Sequence, residues 1–290
     1  MTTNELLFPQ FFYQGLEKMK IISILNVLVK LLFISLIFLF VNKKSDYILV
    51  PVLYSIGYFI SGVISLYILI RKYGVKLYKC NRSIQFYYVK ECFPILATDL
   101  ICTIKDKLNY LLVGMFVGMS DVVIYDLGLK LKELSSKPSN IISTVLLPRF
   151  AKNRNVKTFQ HLLLFIIVMS VVLVCLVNIF MEPLVYFFLK QDVDLLPIRL
   201  FSIVPIILCP SILIANNFFI SFGYHKYLFN SILVTTFVYI IVLFLFWIIG
   251  YLHSLYSFIF LALISFGVEF MYRMYIFFKK KSEIINNVVN

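Results

Sequence analysis

Ionisable side chains recur inside stretches that are otherwise apolar enough to cross a membrane. The bases are Lys30, Lys105, Lys107, Lys130, Lys132, Lys137, Arg199 and Arg273, and the acids are Asp99, Asp106, Asp126, Glu133 and Glu269. A charge at the bilayer centre costs about 3 kcal/mol or more, so such groups face a bundle interior or a water-filled cavity. Their spacing is helical. Asp126, Lys130, Glu133 and Lys137 fall at i, i+4, i+7 and i+11, one face of a helix, with each acid four residues before a base. Asp99, Thr103, Asp106 and Asn109 repeat the pattern at i, i+4, i+7 and i+10, flanked by Lys105 and Lys107. Further along, Ser202, Pro205, Pro210, Ser211, Asn216 and Asn217 share one stretch. There the prolines free backbone carbonyls and the amides add polar groups, which predicts a bent, cavity-lining helix. Glu269 and Arg273 are themselves an i, i+4 pair, and for them and Lys30 a structural role is expected. Bases outnumber acids within the stretches, so the polar pathway they outline is cationic and suits an anionic passenger.

The elements that must position these groups are long apolar runs. The chain has 290 residues, 61% of them hydrophobic, which excludes an ordinary water-soluble fold and leaves room for at most about nine spans. Eight stretches of spanning length are predicted as helices: Ile21 to Val41, Tyr47 to Ile70, Phe93 to Val117, Asp121 to Leu147, Thr158 to Met181, Pro197 to Phe222, Tyr227 to Gly250 and Ser254 to Phe278. The runs are solidly apolar rather than alternating, so a transmembrane β-barrel is excluded. The fold class expected is an all-α polytopic membrane bundle of about eight helices.

Orientation follows from the 27 Lys and Arg against 14 Asp and Glu, a net charge of +13. Lys18 and Lys20 precede the first span. Arg71, Lys72, Lys76, Lys79, Arg82 and Lys90 follow the second, and Arg149, Lys152, Arg154 and Lys157 follow the fourth. Lys226 and then Lys279, Lys280 and Lys281 complete the set. The alternate loops hold Lys43, Lys44 and Lys190 with Asp46, Asp121, Glu182, Asp192 and Asp194. The positive-inside rule then places both termini in the cytoplasm, and the basic excess marks loops rather than a nucleic-acid surface.

Other chemistry finds little support. The five cysteines (Cys80, Cys92, Cys102, Cys175, Cys209) form no CxxC pair and read as apolar filler, and His161, His225 and His253 have no metal-ligand spacing. No catalytic constellation is visible. The longest external loop expected, Glu182 to Leu196, is too short for the active site of a multi-span glycosyltransferase or polymerase. The start, MTTNELLFPQ, lacks the basic and apolar regions of a secretory signal and reads as mature sequence.

Three segments carry a family resemblance. FPQFFYQGLEKMK (Phe8 to Lys20), through Pro9, Gln14, Gly15, Glu17, Lys18 and Met19, resembles the loop before the fifth helix of Wzx-type O-antigen and polysaccharide flippases. Phe11 stands where a Trp is common. DKLNYLLVGMFVGMSDVVIYDLGLK (Asp106 to Lys130) is similar to that family's seventh and eighth helices, with Val123, Ile124 and Tyr125 at its Gly-Tyr-Tyr position. STVLLPRFAK, with Pro148 and Arg149, looks like the end of the eighth. These flippases belong to the multidrug/oligosaccharidyl-lipid/polysaccharide exporter superfamily, in which twelve helices form two six-helix lobes around a cavity that opens alternately to the two membrane faces.

The resemblance implies helices five to twelve of that fold. Residues 1–92 would hold the cytoplasmic loop, the last two helices of the first lobe and a basic inter-lobe loop; residues 93–278 a complete second lobe; and residues 279–290 a basic cytoplasmic tail. The first four helices are expected to be missing before Met1. It further implies a multi-pass protein of the bacterial cytoplasmic membrane, not an enzyme, that moves an undecaprenyl-diphosphate-linked oligosaccharide to the outer leaflet for O-antigen, capsule or other surface polysaccharide. No cofactor or metal is expected; an H+ or Na+ gradient would drive transport. Membrane lipids and the glycan polymerase machinery are the expected partners, and nucleic acid is not. Substrate-cavity candidates are Lys130, Lys132, Lys137, Arg199, Glu133, Asn216 and Asn217, and cation-coupling candidates are Asp99, Asp106 and Asp126. The alternatives are a truncated, non-functional remnant and a cation-coupled drug antiporter of the same superfamily, the latter disfavoured by the cationic spans.

Overall fold

A computed structural model describes residues 8–41, 46, 48–75, 81–152, 155–190 and 193–289, with side chains described as far as residue 283. The loop positions Lys43, Lys44, Lys76, Lys79, Cys80, Arg154 and Asp192 lie outside the described residues. The chain divides into two compact units, Met1–Arg82 and Ser83–Asn290.

In the first unit a short helix, α1 (Gln10–Gly15), precedes α2 (Met19–Phe40) and α3 (Leu49–Tyr73). The turn between α1 and α2 places Glu17 in the left-handed region at φ 58°, closed by the Lys18 N–H donating to Tyr13 O at 2.9 Å. Tyr13 is fully buried beside Phe8 and Leu25, and its hydroxyl donates to the Ser65 carbonyl of α3 at 2.7 Å. Gly74 supplies the left-handed cap that ends α3.

The second unit is built from α4 (Arg82–Phe116), α5 (Met119–Lys152), α6 (Val156–Ile179), α7 (Met181–Leu189), α8 (Leu196–Leu213), α9 (His225–Ile248) and α10 (Leu255–Val289). Helix α8 continues directly into a π-helical segment, Ile214–Ile220, and a single 3₁₀ turn, Tyr251–His253, links α9 to α10. α8 is the central post: α5, α6 and α10 all pack against it, α5 most extensively. That approach is permitted by Gly128 of α5. A Cβ there would come within 2.7 Å of the Phe201 ring of α8, which is itself 1% exposed. Phe159, Phe218 and Phe277 form the apolar core near one end of the unit, and Tyr125, Phe201 and Phe258 that near the other.

Six of the described helices are long and apolar enough to cross a membrane: α2, α3, α6, α8 with its π segment, α9 and α10. α4 and α5 carry more charge, yet with 35 and 34 residues each reaches about 50 Å. The chain is an all-α membrane helix bundle. Three local expectations change. α4 begins at Arg82 rather than near Phe93, because the polar segment RSIQFYYVKEC is helical without being apolar. The loop expected from Glu182 to Leu196 contains α7, whose Met181 and Val185 are buried against Leu127, Leu131 and Ile198. Pro148 and Arg149 do not end their helix, which runs on to Lys152; a proline removes only its own donor, here toward Thr144, and the following turn continues.

Alternation of helix direction sorts the loops of the second unit. One end carries Lys90, Arg149, Lys152, Lys157, Lys226 and Lys280; the other carries Asp121, Glu182, Lys190, Asp194 and Arg199. At the second end the Tyr256 hydroxyl donates to Asp194 Oδ2 at 2.5 Å and the Leu196 N–H donates to Oδ1 at 3.0 Å. Those bonds, the hydroxyl's first, hold the Asp194 carboxyl below the usual carboxylate range.

Candidate functional site

The charged stripe of α5 faces outward from the second unit. Lys130 Nζ lies 2.6 Å from Asp126 Oδ2 with its side chain 70% exposed, and Glu133 and Lys137 are exposed on the same face. α4 joins it across the helix pair. The Tyr110 hydroxyl donates to the second oxygen of Asp126 at 2.7 Å, and Lys107 Nζ sits 5.7 Å above the Tyr110 ring. Asp126 thus holds a cation on one oxygen and a phenol on the other, while Glu133 and Lys137 have no ion-pair partner among the described residues. Beside the stripe, Phe188 and Leu189 of α7 complete a groove of about 370 Å³. Lys130 is about 16 Å along α5 from Met119 and Lys107 about 14 Å along α4 from Phe116.

A second site is a half-open cleft of about 470 Å³ walled by α4, α8 with its π segment, α9 and α10, with Asp99 and Asp106 exposed at its edge. Asp99, Lys105 and Asp106 reach it from α4, Asn216 from the π segment, and Glu269 and Arg273 from α10. Arg273 is 4% exposed, and its Nε and one terminal nitrogen are engaged. One terminal nitrogen lies 2.6 Å from Glu269 Oε1 and donates to Ser211 Oγ at 3.0 Å and Ser211 O at 3.3 Å, while Nε donates to Ser231 Oγ at 3.2 Å. The i, i+4 pair forms as its spacing predicts. Sequence reasoning missed that it borders the same cavity as Asp99 and Asp106; the signal available was the depth of the pair within the last span.

The structure separates several residues that the sequence grouped. Lys132 is two residues from Lys130, a rotation of about 200° at 100° per residue. It points to the other side of α5, its Nζ 5.0 Å above the Phe266 ring of α10, which Lys105 also approaches at 5.9 Å. Asn109, ten residues from Asp99 and three from Asp106, is rotated about 80° from the first and about 60° from the second. It is buried and accepts from the Tyr239 hydroxyl at 2.6 Å. Arg199 stands at the start of α8, 3.5 Å from Glu182, away from both the groove and the cavity. Lys30 is exposed on α2.

The two asparagines also part company. The π segment widens the helix by one residue, a device common at functional sites. Asn216 turns into the cavity, whereas Asn217 is fully buried with its Nδ2 donating to Ser143 O at 2.9 Å and its Oδ1 accepting from Ser143 Oγ. Both ends of the Asn217 amide are spent tying the π segment to α5, which leaves Asn216 as the one that faces the cavity.

Residues 3–154, about half of the chain, match the family described as "Polysaccharide biosynthesis protein". The chain belongs to this family. Within the second unit, the family match takes in α4 and all but the groove's α7 wall on the charged side. Two relatives, each named "Putative O-antigen transporter", agree with it. One, from Shigella dysenteriae, is 28% identical over 171 residues, which is 59% of this chain and 43% of the relative. The other, from Escherichia coli strain K12, is 33% identical over 86 residues, 28% of this chain and 21% of the relative. The aligned part is therefore less than half the length of each relative. No solved structure matches the chain. As a family member with several membrane-crossing helices, it is a multi-pass protein of the bacterial cytoplasmic membrane.

Proposed function

We propose that the chain takes part in flipping an undecaprenyl-diphosphate-linked oligosaccharide from the inner to the outer leaflet of the cytoplasmic membrane, for O-antigen or a related surface polysaccharide. The observation that carries this reading is the outward-facing charged face formed by Lys107, Tyr110, Asp126, Lys130, Glu133 and Lys137, set about 14–16 Å along α4 and α5 from the turn that joins them, a depth that in a membrane-spanning pair falls near the middle of the bilayer. Exposed to lipid tails, such a face would be prohibitively costly; its stable setting is the wall of a hydrated passage. The diphosphate is the costly group to move, since it must shed water. Lysine ammonium groups replace part of that hydration with charge-assisted hydrogen bonds, while Tyr110, Asp126 and Glu133 offer hydroxyl and carboxylate partners to sugars. The prenyl tail remains in lipid beside the passage. Phe188 and Leu189 give the groove an apolar lip.

In this reading the half-open cleft between α4 and α10 serves coupling. Asp99 and Asp106 are carboxylates within reach of an entering cation, and the buried Glu269–Arg273 pair is an ionic element that a change in their charge state would bias. The two relatives' name supports an O-antigen cargo, and the polymerase machinery would then receive the repeat unit on the outer face. Charge reversal tests the proposal in the protein's own host: Lys130→Glu with Lys137→Glu at the chromosomal locus. Surface polysaccharide should fall at least tenfold while lipid-linked repeat units accumulate inside. Undiminished surface polysaccharide from a variant present at normal levels would end this assignment.

A further inference from the structure

A third pocket, of about 800 Å³, opens at the basic end of the second unit, between the first turns of α4 and the segment joining the π helix to α9. Its walls combine cations and phenols. Lys90 comes from α4 and Lys226 from α9, and neither has an ion-pair partner among the described residues. His225 also lines it, its Nδ1 without a hydrogen-bond partner among the described residues. Tyr224 and Tyr227 complete that wall, and Lys280 of α10 lies over both rings, 5.8 and 5.7 Å from their centroids. Among the described residues that line it the one carboxylate is that of Glu91, which accepts from the Tyr87 hydroxyl at 2.9 Å. Two ammonium groups around one opening, without ion-pair partners among the described residues, leave a positive site that asks for an anion, and the imidazole beside them adds a polar contact.

The setting says which kind. The basic end of a membrane bundle, with tyrosines and lysines interleaved, lies at the headgroup level, where apolar stems reach lipid and polar tips reach water. Phe86 and Phe93 share the helix face of Lys90 at i, i+4 and i+7, and they are 72% and 60% exposed. An anion held by Lys90 would thus have aromatic surface beside it on the side where an acyl or prenyl chain would run. A soluble anion has no use for that surface. The volume, within the usual range for small-molecule pockets, exceeds that of a phosphate alone.

We infer that this pocket binds the anionic phosphate headgroup of a membrane lipid, gripped by Lys90, Lys226 and His225, with the lipid chain along Phe86 and Phe93. The headgroup could belong to a resident phospholipid or to a prenyl carrier, because each presents an anionic phosphate, a diester in the first and a monoester in the second, to the same cations. The inference does not depend on the transport reading, since a lipid site of this kind serves any multi-pass protein.

The test is native mass spectrometry of the full chain, purified in detergent and titrated separately with phosphatidylglycerol, undecaprenyl phosphate and zwitterionic phosphatidylcholine. The wild-type chain should retain phosphatidylglycerol, undecaprenyl phosphate or both in preference to phosphatidylcholine. Retention of the first alone identifies a resident phospholipid, and of the second alone a carrier lipid. Lys90→Gln with Lys226→Gln should weaken the retained lipid at least about tenfold, as expected for losing two charged contacts. Lys157→Gln, at the same end but outside the pocket, should leave it unchanged. Both pocket lysines are exposed, and helical content by circular dichroism verifies that the variant is folded. Equal retention of all three lipids, or a double variant that binds like the wild type, would overturn the inference.

Discussion

Glu269→Gln should be among the most damaging conservative substitutions in this chain. The carboxylate is 8% exposed and meets an Arg273 that is 4% exposed, at 2.6 Å. The amide that replaces it could still accept one hydrogen bond, but the guanidinium would keep its charge inside the bundle with only Ser211 and Ser231 to solvate it. Breaking a buried pair from one side costs about 3–5 kcal/mol, because the surviving charge is left uncompensated. For a unit of this size that corresponds to a fall of about 6–20 °C in the unfolding midpoint. The assay is the fraction of protein surviving as a monodisperse peak after graded heating in one detergent. Glu269→Met with Arg273→Met removes both charges; Ser231 keeps its bond to Leu228 O, and the double variant should recover at least half of the loss. A Glu269→Gln midpoint within about 2 °C of wild type, or a double variant no better than the single, would refute the argument that charge burial dominates here.

Two further outcomes follow from packing and from protonation. Gly128→Ala pushes a methyl into the Phe201 ring at the α5–α8 contact and should cost about 1–3 kcal/mol, read by the same heating assay, with Phe201→Leu as a second substitution restoring part of it. Asp194, whose folded-state pKa lies below its unfolded value of about 3.9, contributes stability that is present above that value and disappears as pH falls through the folded pKa. Tyr256→Phe should accordingly flatten the acid limb of the midpoint-against-pH profile below about pH 4 and leave the midpoint at pH 7 lowered, with little change in the α5 groove.

Of the eight stretches that hydropathy marks, six coincide with described helices long and apolar enough to cross a membrane, because their windows are apolar irrespective of what they pack against. Hydropathy placed the start of α4 late, since residues 82–92 are helical while interrupted by Arg82, Gln85, Lys90 and Glu91, and it overlooked α7, which at nine residues is shorter than any spanning window. The α5 stripe was legible by rotation alone: 0, 4, 7 and 11 residues keep Asp126 to Lys137 on one face. The same rule applied to ten residues misplaced Asn109, and proximity in sequence wrongly joined Lys132 to Lys130. The cavity shared by Asp99, Asp106, Glu269 and Arg273 depends on four helices meeting, and no local spacing encodes that. The π segment, which sends Asn216 and Asn217 to different duties, arises from a backbone hydrogen-bond shift after Pro210 that composition does not reveal.

The central claim is that a cationic face at mid-membrane depth carries a diphosphate-linked glycan between leaflets. It is tested most directly by following the leaflet position of an undecaprenyl-diphosphate-linked saccharide in sealed vesicles prepared from host cells, with the wild-type gene and with the Lys130→Glu, Lys137→Glu variant. Wild-type vesicles should bring the glycan within reach of a membrane-impermeant lectin on the periplasmic face, and variant vesicles should not. Equal lectin access in the two preparations, at equal protein level, would contradict the account.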